Sequence, residues 1–323
     1  MPGVEAWAVI ARLSGMEFVV TALWVFASIT ISLAAKFGCT PACSASAPSM
    51  PPMPMLDGNS MAMMGCAPTV TIEQALTTGF AAAAAAGMSF NAHSTRQPDK
   101  LYDATHSGAH FNPAVSLSLA LRGRLPRVRL PIYVLAQLFG GILGAALSVA
   151  VAGNHACLKG VLEMKMMLTS GGEILLQTML VAFLTLVYHW AQCRHAAMAT
   201  PIFIGFTYIM AYLPGFSLLR GHVVNPTRAF GLAAIGAEDW GWTWRIWIGS
   251  LCGSVLGAAL DALLFDDRIW DRWTEDEPLV SPQATSVSDG QVGGNPDGGS
   301  GEPHTVEMSD CCLDNASNKN STI

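Results

Sequence analysis

Long apolar stretches alternate with short polar breaks along this chain. Runs of about twenty mostly apolar residues, the length a helix needs to cross the hydrocarbon, fall near 16–36, 70–90, 129–152, 171–191, 197–216 and 242–265. The pattern predicts six spans. Two shorter apolar segments interrupt it, Ser107-Gly108-Ala109-His110-Phe111-Asn112-Pro113-Ala114-Val115 and Gly221-His222-Val223-Val224-Asn225-Pro226-Thr227-Arg228-Ala229-Phe230. Each places Asn-Pro where a helix would begin, since proline suits the first helical position and asparagine the N-cap. Both are too short to cross a bilayer and lie among spans that do. They are expected to dip into the membrane as half-helices, which points to a pore.

The two halves of the chain repeat one plan. Gly15-Met16-Glu17-Phe18 opens the first and Gly172-Glu173-Ile174-Leu175 the second; each half then supplies a second span, an Asn-Pro segment and a third span. With an odd number of spans per half, the second must enter from the opposite side, giving inverted repeats over about 15–152 and 171–265. The Asn-Pro segments then enter from opposite faces and meet near mid-membrane. Glycines at four-residue spacing, Gly140 and Gly144 in the third span and Gly249, Gly253 and Gly257 in the last, mark close helix packing.

Composition narrows the class. The chain is 51% hydrophobic and only 12% charged, which excludes an ordinary soluble domain. Its net charge of −6 and the lack of a basic groove argue against a nucleic-acid partner. The Arg122, Arg124, Arg127 and Arg129 cluster reads instead as a positive-inside anchor, which puts both termini in the cytosol. The first apolar run begins beyond Arg12 and reads as a span, with no cleavable signal peptide before it. No nucleophile–base–acid set lies in the spans and the histidines lack ligand spacing, so neither an enzyme, a metal site nor a cofactor is expected.

The SGAHFNPAV run, the second Asn-Pro followed by Thr227 and Arg228, and six spans around them resemble the major intrinsic protein (aquaporin) family, over roughly residues 15–265. The resemblance implies an all-α membrane protein with six transmembrane helices and two re-entrant half-helices, assembled as a homotetramer. It implies a central junction of Asn112, Pro113 and Ala114 with Asn225, Pro226 and Thr227, where two helix N-termini bring partial positive charge and the asparagine amides donate to water. His110 falls among pore-lining or loop-supporting positions, and Glu17 and Glu173 would accept hydrogen bonds from the re-entrant backbones, which a bilayer tolerates only when satisfied. An outer selectivity filter carries over to Arg228, to His222 three residues before Asn225, to Thr78 before Gly79, and to Tyr212 if one residue is inserted after Gly205. Thr227 departs from the usual alanine; it either narrows or polarises the junction or bonds a nearby carbonyl.

The function so implied is passage of water and small neutral solutes through membrane lipid, with protons and ions excluded. Many water-selective members have an aromatic residue where Thr78 stands, so a glycerol-, urea- or ammonia-conducting channel is the alternative. Against it, Ala229 and Phe230 follow Arg228 where glycerol conductors have an acidic residue. A poorly conducting structural protein is a further alternative. Three regions stand outside this plan. The stretch from about Gly38 to Pro68, with Cys39, Cys43, Cys66 and six methionines, is compatible with soft-metal binding, one disulfide or plain low complexity. An insertion at about 91–106 lengthens the approach to the first Asn-Pro. Residues 266–323 form an acidic, Gly- and Ser-rich tail expected to be disordered and cytosolic.

Overall fold

A computed structural model describes residues 4–37, 67–89, 107–152, 168–193, 199–219, 221 and 224–265. His222, the sulfur-rich stretch up to residue 66, the 91–106 insertion and the acidic tail lie outside the described residues. The chain divides into a compact unit, Met1–Asp261, and a second unit, Ala262–Ile323, of which the last residues of the final helix are described.

Eight helices are found among the described residues and no strand: α1 Val4–Phe37, α2 Ala67–Ser89, α3 Pro113–Leu121, α4 Arg129–Ala152, α5 Ser170–Cys193, α6 Thr200–Leu218, α7 Pro226–Ala234 and α8 Trp240–Phe265. Helices are what an apolar solvent permits, because every backbone donor and acceptor is satisfied within its own segment. The two shortest, α3 and α7, have nine residues each, about 14 Å of rise against a hydrocarbon core of about 30 Å. They cannot cross. The other six are the spans, with α3 and α7 as re-entrant half-helices in two inverted repeats.

Four helices are, over their described residues, long and apolar enough to cross a membrane: Trp7–Ile31, Arg129–Val151, Ser170–Ala191 and Trp240–Phe265. The remaining two long helices, α2 and α6, pack on each other through a reciprocal glycine contact. A Cβ added to Gly79 would lie 2.6 Å from the Gly205 carbonyl oxygen, and one added to Gly205 would lie 2.8 Å from that of Gly79. The glycine stripes do the same elsewhere, Gly140 and Gly144 on α1 and Gly249, Gly253 and Gly257 on α5. Such contacts let backbones approach where lipid supplies no hydrophobic drive.

α1 begins at Val4, ahead of residue 15 where the sequence pattern opens the first repeat, and buries Ile10, Leu13 and Ser14 in the bundle. No proline or glycine between Val4 and Ser14 breaks the helix. Among the described residues, large apolar side chains stand outside and several polar ones lie buried within. Leu23, Phe80, Phe139, Leu175, Phe206 and Val255 are exposed, whereas Glu17, Asn112, Gln137, Gln177, Asn225 and Arg228 are fully buried.

Candidate functional site: the meeting of two half-helices

Asn112 and Asn225 cap the half-helices in extended conformations, φ −151° and −129°. The side-chain oxygen of each accepts the backbone N–H two residues on, Asn112 from Ala114 at 2.9 Å and Asn225 from Thr227 at 3.0 Å. Pro113 and Pro226 follow at the first helical position, where their missing N–H costs nothing. With the amide oxygen committed to the cap, the amide nitrogen is free to reach across. Asn112 Nδ2 donates to the Val224 carbonyl at 2.8 Å, and Asn225 Nδ2 donates to the Phe111 carbonyl at 2.9 Å. Each half-helix is thus pinned by the other's asparagine, and Asn112 Nδ2 also reaches the Tyr208 hydroxyl at 3.5 Å.

The crossed bonds require carbonyls turned toward the junction. Phe111 and Val224 supply them by adopting φ of 34° and 53°, in the left-handed region that costs a non-glycine residue about 1–3 kcal/mol. Buried partners hold them there. Glu17 accepts the His110 N–H at 3.0 Å through Oε1 and the Phe111 N–H at 2.7 Å through Oε2, where Gln137 Nε2 also donates at 2.9 Å. Tyr133 and Tyr188 hydroxyls donate to the carbonyls of Ser107 and Ala109, at 3.3 and 3.2 Å. His110 is fully buried; its Nδ1 meets Ser116 Oγ at 3.1 Å, while Nε2 has no hydrogen-bond partner among the described residues.

The described part of the second loop is held by Gln177, which accepts the Val224 N–H at 3.2 Å and donates to Ser250 Oγ at 3.0 Å. Glu173, one turn earlier in the first turn of α5, accepts from Arg245 at 2.9 Å. Gln177 lies beside Gly249 on the face toward α8.

Thr227 is accommodated by a glycine. Its methyl carbon lies where a Cβ on Gly141 of α4 would stand, and its carbonyl oxygen would be 2.8 Å from that Cβ. The side chain is therefore absorbed in packing against α4 and does not bond a nearby carbonyl; its hydroxyl has no hydrogen-bond partner among the described residues. At the corresponding contact of the first half-helix the roles are exchanged. Ser254 of α8 donates to the Ala114 carbonyl at 2.8 Å.

Arg228 is fully buried, and its guanidinium donates to the Gly221 carbonyl at 2.7 Å. Tyr212 of α6 is near enough to interact with it electrostatically. Thr78 is buried on α2, and Gln74, one turn earlier, is buried with neither amide atom hydrogen-bonded among the described residues. The structure thus brings Arg228 to Tyr212 and Asn112 to Asn225. Sequence reasoning missed Gln74, Gln137, Gln177 and Tyr208. The first three carried a signal, since a polar amide inside an apolar span is costly without an inward role.

This arrangement defines a class: an integral membrane protein whose two inverted repeats each send a half-helix to a shared central junction. The sequence pattern of the family described as Major intrinsic protein matches residues 8–261, and the chain belongs to that family. It is 34% identical to Aquaporin-8 of Mus musculus over 169 residues, spanning 50% of this chain and 64% of that protein's length. It is 31% identical to Aquaporin Z of Rhodopseudomonas palustris, spanning 49% of this chain and 70% of that protein. In fold it is similar to the aquaglyceroporin from Plasmodium falciparum, with a TM-score of 0.57 at 18% identity, covering 80% of this chain and 98% of the other.

Proposed function

We propose that this chain forms a membrane channel for water, with other small neutral solutes as secondary cargo, and that it excludes protons and ions. The observation that carries the reading is the central junction. Two half-helix N-termini point at one place, so that backbone dipoles raise the potential there and disfavour any cation. Asn112 and Asn225 are locked by their crossed bonds, and the second amide N–H of each, which in Asn112 reaches the Tyr208 hydroxyl at 3.5 Å, is the donor for a passing oxygen. A water whose oxygen accepts from two fixed donors has no lone pair left to accept a hydrogen bond from its neighbours in the file, which interrupts proton hopping. Arg228 adds a second fixed charge one turn along α7, with Tyr212 beside it. His222 and Thr78 complete this outer level in our reading, and His110 lines the approach on the other side of the junction.

The family and the name borne by its relatives support a channel and not an enzyme. The basic-residue bias supports cytosolic termini, and the exposed apolar helix faces suit lipid on one side and three further copies on the other, as a homotetramer. The test is stopped-flow swelling of proteoliposomes with water, glycerol, urea and ammonia. Water flux well above that of empty vesicles, with no dissipation of a proton gradient, is the expected result. A protein that moves no solute would be a structural membrane protein. A glycerol flux matching that of water would make it an aquaglyceroporin.

A further inference from the structure

Next to the central junction three aromatic rings from three separate elements pack against one another. Trp24 of α1 lies 5.7 Å from Phe111 of the first re-entrant loop and 5.4 Å from Tyr208 of α6, and Phe111 lies 5.6 Å from Tyr208. All three are buried, at 1%, 0% and 0% exposure. Their place is set by Asn112: Phe111 is the residue before it, and the Tyr208 hydroxyl lies 3.5 Å from Asn112 Nδ2. One turn along α6, Tyr212 stands 6.4 Å from Tyr208, at the level of Arg228. The helix thus presents one tyrosine to each level.

Two polar atoms of this group lie beside the junction. The Trp24 Nε1 is buried with no hydrogen-bond partner among the described residues, although an indole N–H in an apolar setting normally finds an acceptor. The Tyr208 hydroxyl faces both junction asparagines, accepting from Asn112 Nδ2 at 3.5 Å and interacting with the Asn225 side chain. Meanwhile the outer level has Thr78, a small side chain, where bulk would be needed to exclude wider solutes.

We propose that Trp24, Phe111 and Tyr208 form an aromatic constriction beside Asn112 that sets the size limit of this channel, with Trp24 Nε1 and the Tyr208 hydroxyl as its polar contacts. It passes a molecule as narrow as water and holds back polyols such as glycerol. The proposal rests on the channel reading above but places the size limit at residues that reading does not use.

The test is the full chain in proteoliposomes with Trp24→Ala, Trp24→Phe and Tyr208→Phe, each checked first for a monodisperse peak in detergent. Trp24→Ala should raise glycerol permeability about tenfold or more, well beyond any change for water, since width is what it alters. Trp24→Phe should keep glycerol out while slowing water about twofold, because the ring stays and the N–H is lost. Tyr208→Phe should likewise slow water without admitting glycerol. If Trp24→Ala does not fold, Trp24→Leu serves, with the same expectation. A well-folded Trp24→Ala or Trp24→Leu protein with wild-type selectivity between glycerol and water overturns the constriction. A wild type that moves no water overturns the channel reading instead; the constriction then predicts that Trp24→Ala turns flux on, and continued silence overturns it too.

Discussion

At the C-terminal end of α3 the Arg122 N–H closes on Ser118, Gly123 on Ala120 and Arg124 on Leu119, at 3.2, 3.1 and 2.8 Å; at the end of α7 Ile235 closes on Gly231, Gly236 on Ala233 and Ala237 on Leu232, at 3.2, 3.1 and 2.9 Å. Gly123 and Gly236 turn the chain with φ of 72° and 74°. The separation linking these pairs is the one linking Asn112 to Asn225 and Gly141 to Ser254. Two stretches with few identical residues therefore follow the same path from cap to exit. What surrounds the path differs at every level. The first half-helix leans on a carboxylate, Glu17, with three donors; the second leans on an amide, Gln177, with one backbone donor. The first ends in ions: Arg122 and Arg124 grip the buried Asp261 at 2.7 and 3.1 Å. Arg124 also donates to His189 Nδ1 at 2.6 Å, and since a guanidinium only donates, the ring proton sits on Nε2, toward Ser118 Oγ at 2.8 Å. The second ends in rings, with Phe230 against Trp240 at 5.6 Å and Trp247 at 6.3 Å. The lesson is that the Asn-Pro cap and the exit glycine set the backbone, while the anchoring chemistry is interchangeable so long as every buried donor is met.

That comparison can be broken most forcefully at the loop supports. Glu17→Ala leaves three buried donors unmet, at about 1–3 kcal/mol each, and is expected to abolish folded protein in detergent extracts. Gln177→Ala removes one backbone partner and should lower the melting temperature while still yielding a folded protein. Equal losses would mean that the two loops are anchored alike. A second experiment acts on transport. In the shared register Arg228 of α7 stands opposite Val115 of α3, so Arg228→Val makes the two half-helices match at that position. Water flux should persist through the Asn112 and Asn225 junction, and leakage of protons or bulkier neutral solutes should rise about tenfold as one barrier is lost. Unchanged permeability to every solute would remove Arg228 from the filter.

Smaller effects sharpen the picture. Gly141→Ala should destabilise by about 1–3 kcal/mol through overpacking against Thr227, and Thr227→Ala in the same chain should recover most of the loss, a coupling visible in a double-mutant cycle of melting temperatures. Ser254→Ala, at the mirrored contact, should cost only about 1 kcal/mol, the worth of one hydrogen bond, with no rescue from Ala114. The smallest change is expected from Arg122→Ala, below about 1 kcal/mol, because Arg122 is partly exposed and Arg124 still holds Asp261. A larger loss there would show that the ionic end of α3 carries more of its stability than the aromatic end of α7 does.

By itself the sequence determined the six spans, the two half-helices and their inverted relation, since span length and the Asn-Pro cap are local properties that a bilayer enforces on any chain. The cap residues Asn112 and Asn225 and the arginine after them were legible for the same reason: their position in a motif states their place in space. Only the tertiary structure decided which polar residue meets which loop. Gln177 reaches the Val224 N–H because α5 packs with that face against the Gly249, Gly253 and Gly257 face of α8. Thr227 was read as narrowing or polarising the junction or as bonding a nearby carbonyl; that its methyl packs against Gly141, far away in sequence, is visible only in space. Trp24 and Tyr208 look, in sequence, like any aromatic residue in an apolar span, where lipid and pore faces cannot be told apart by hydrophobicity. Their convergence beside Asn112 depends on how α1, α6 and the re-entrant loop are packed together, and packing geometry is a property of pairs of segments that no single segment contains.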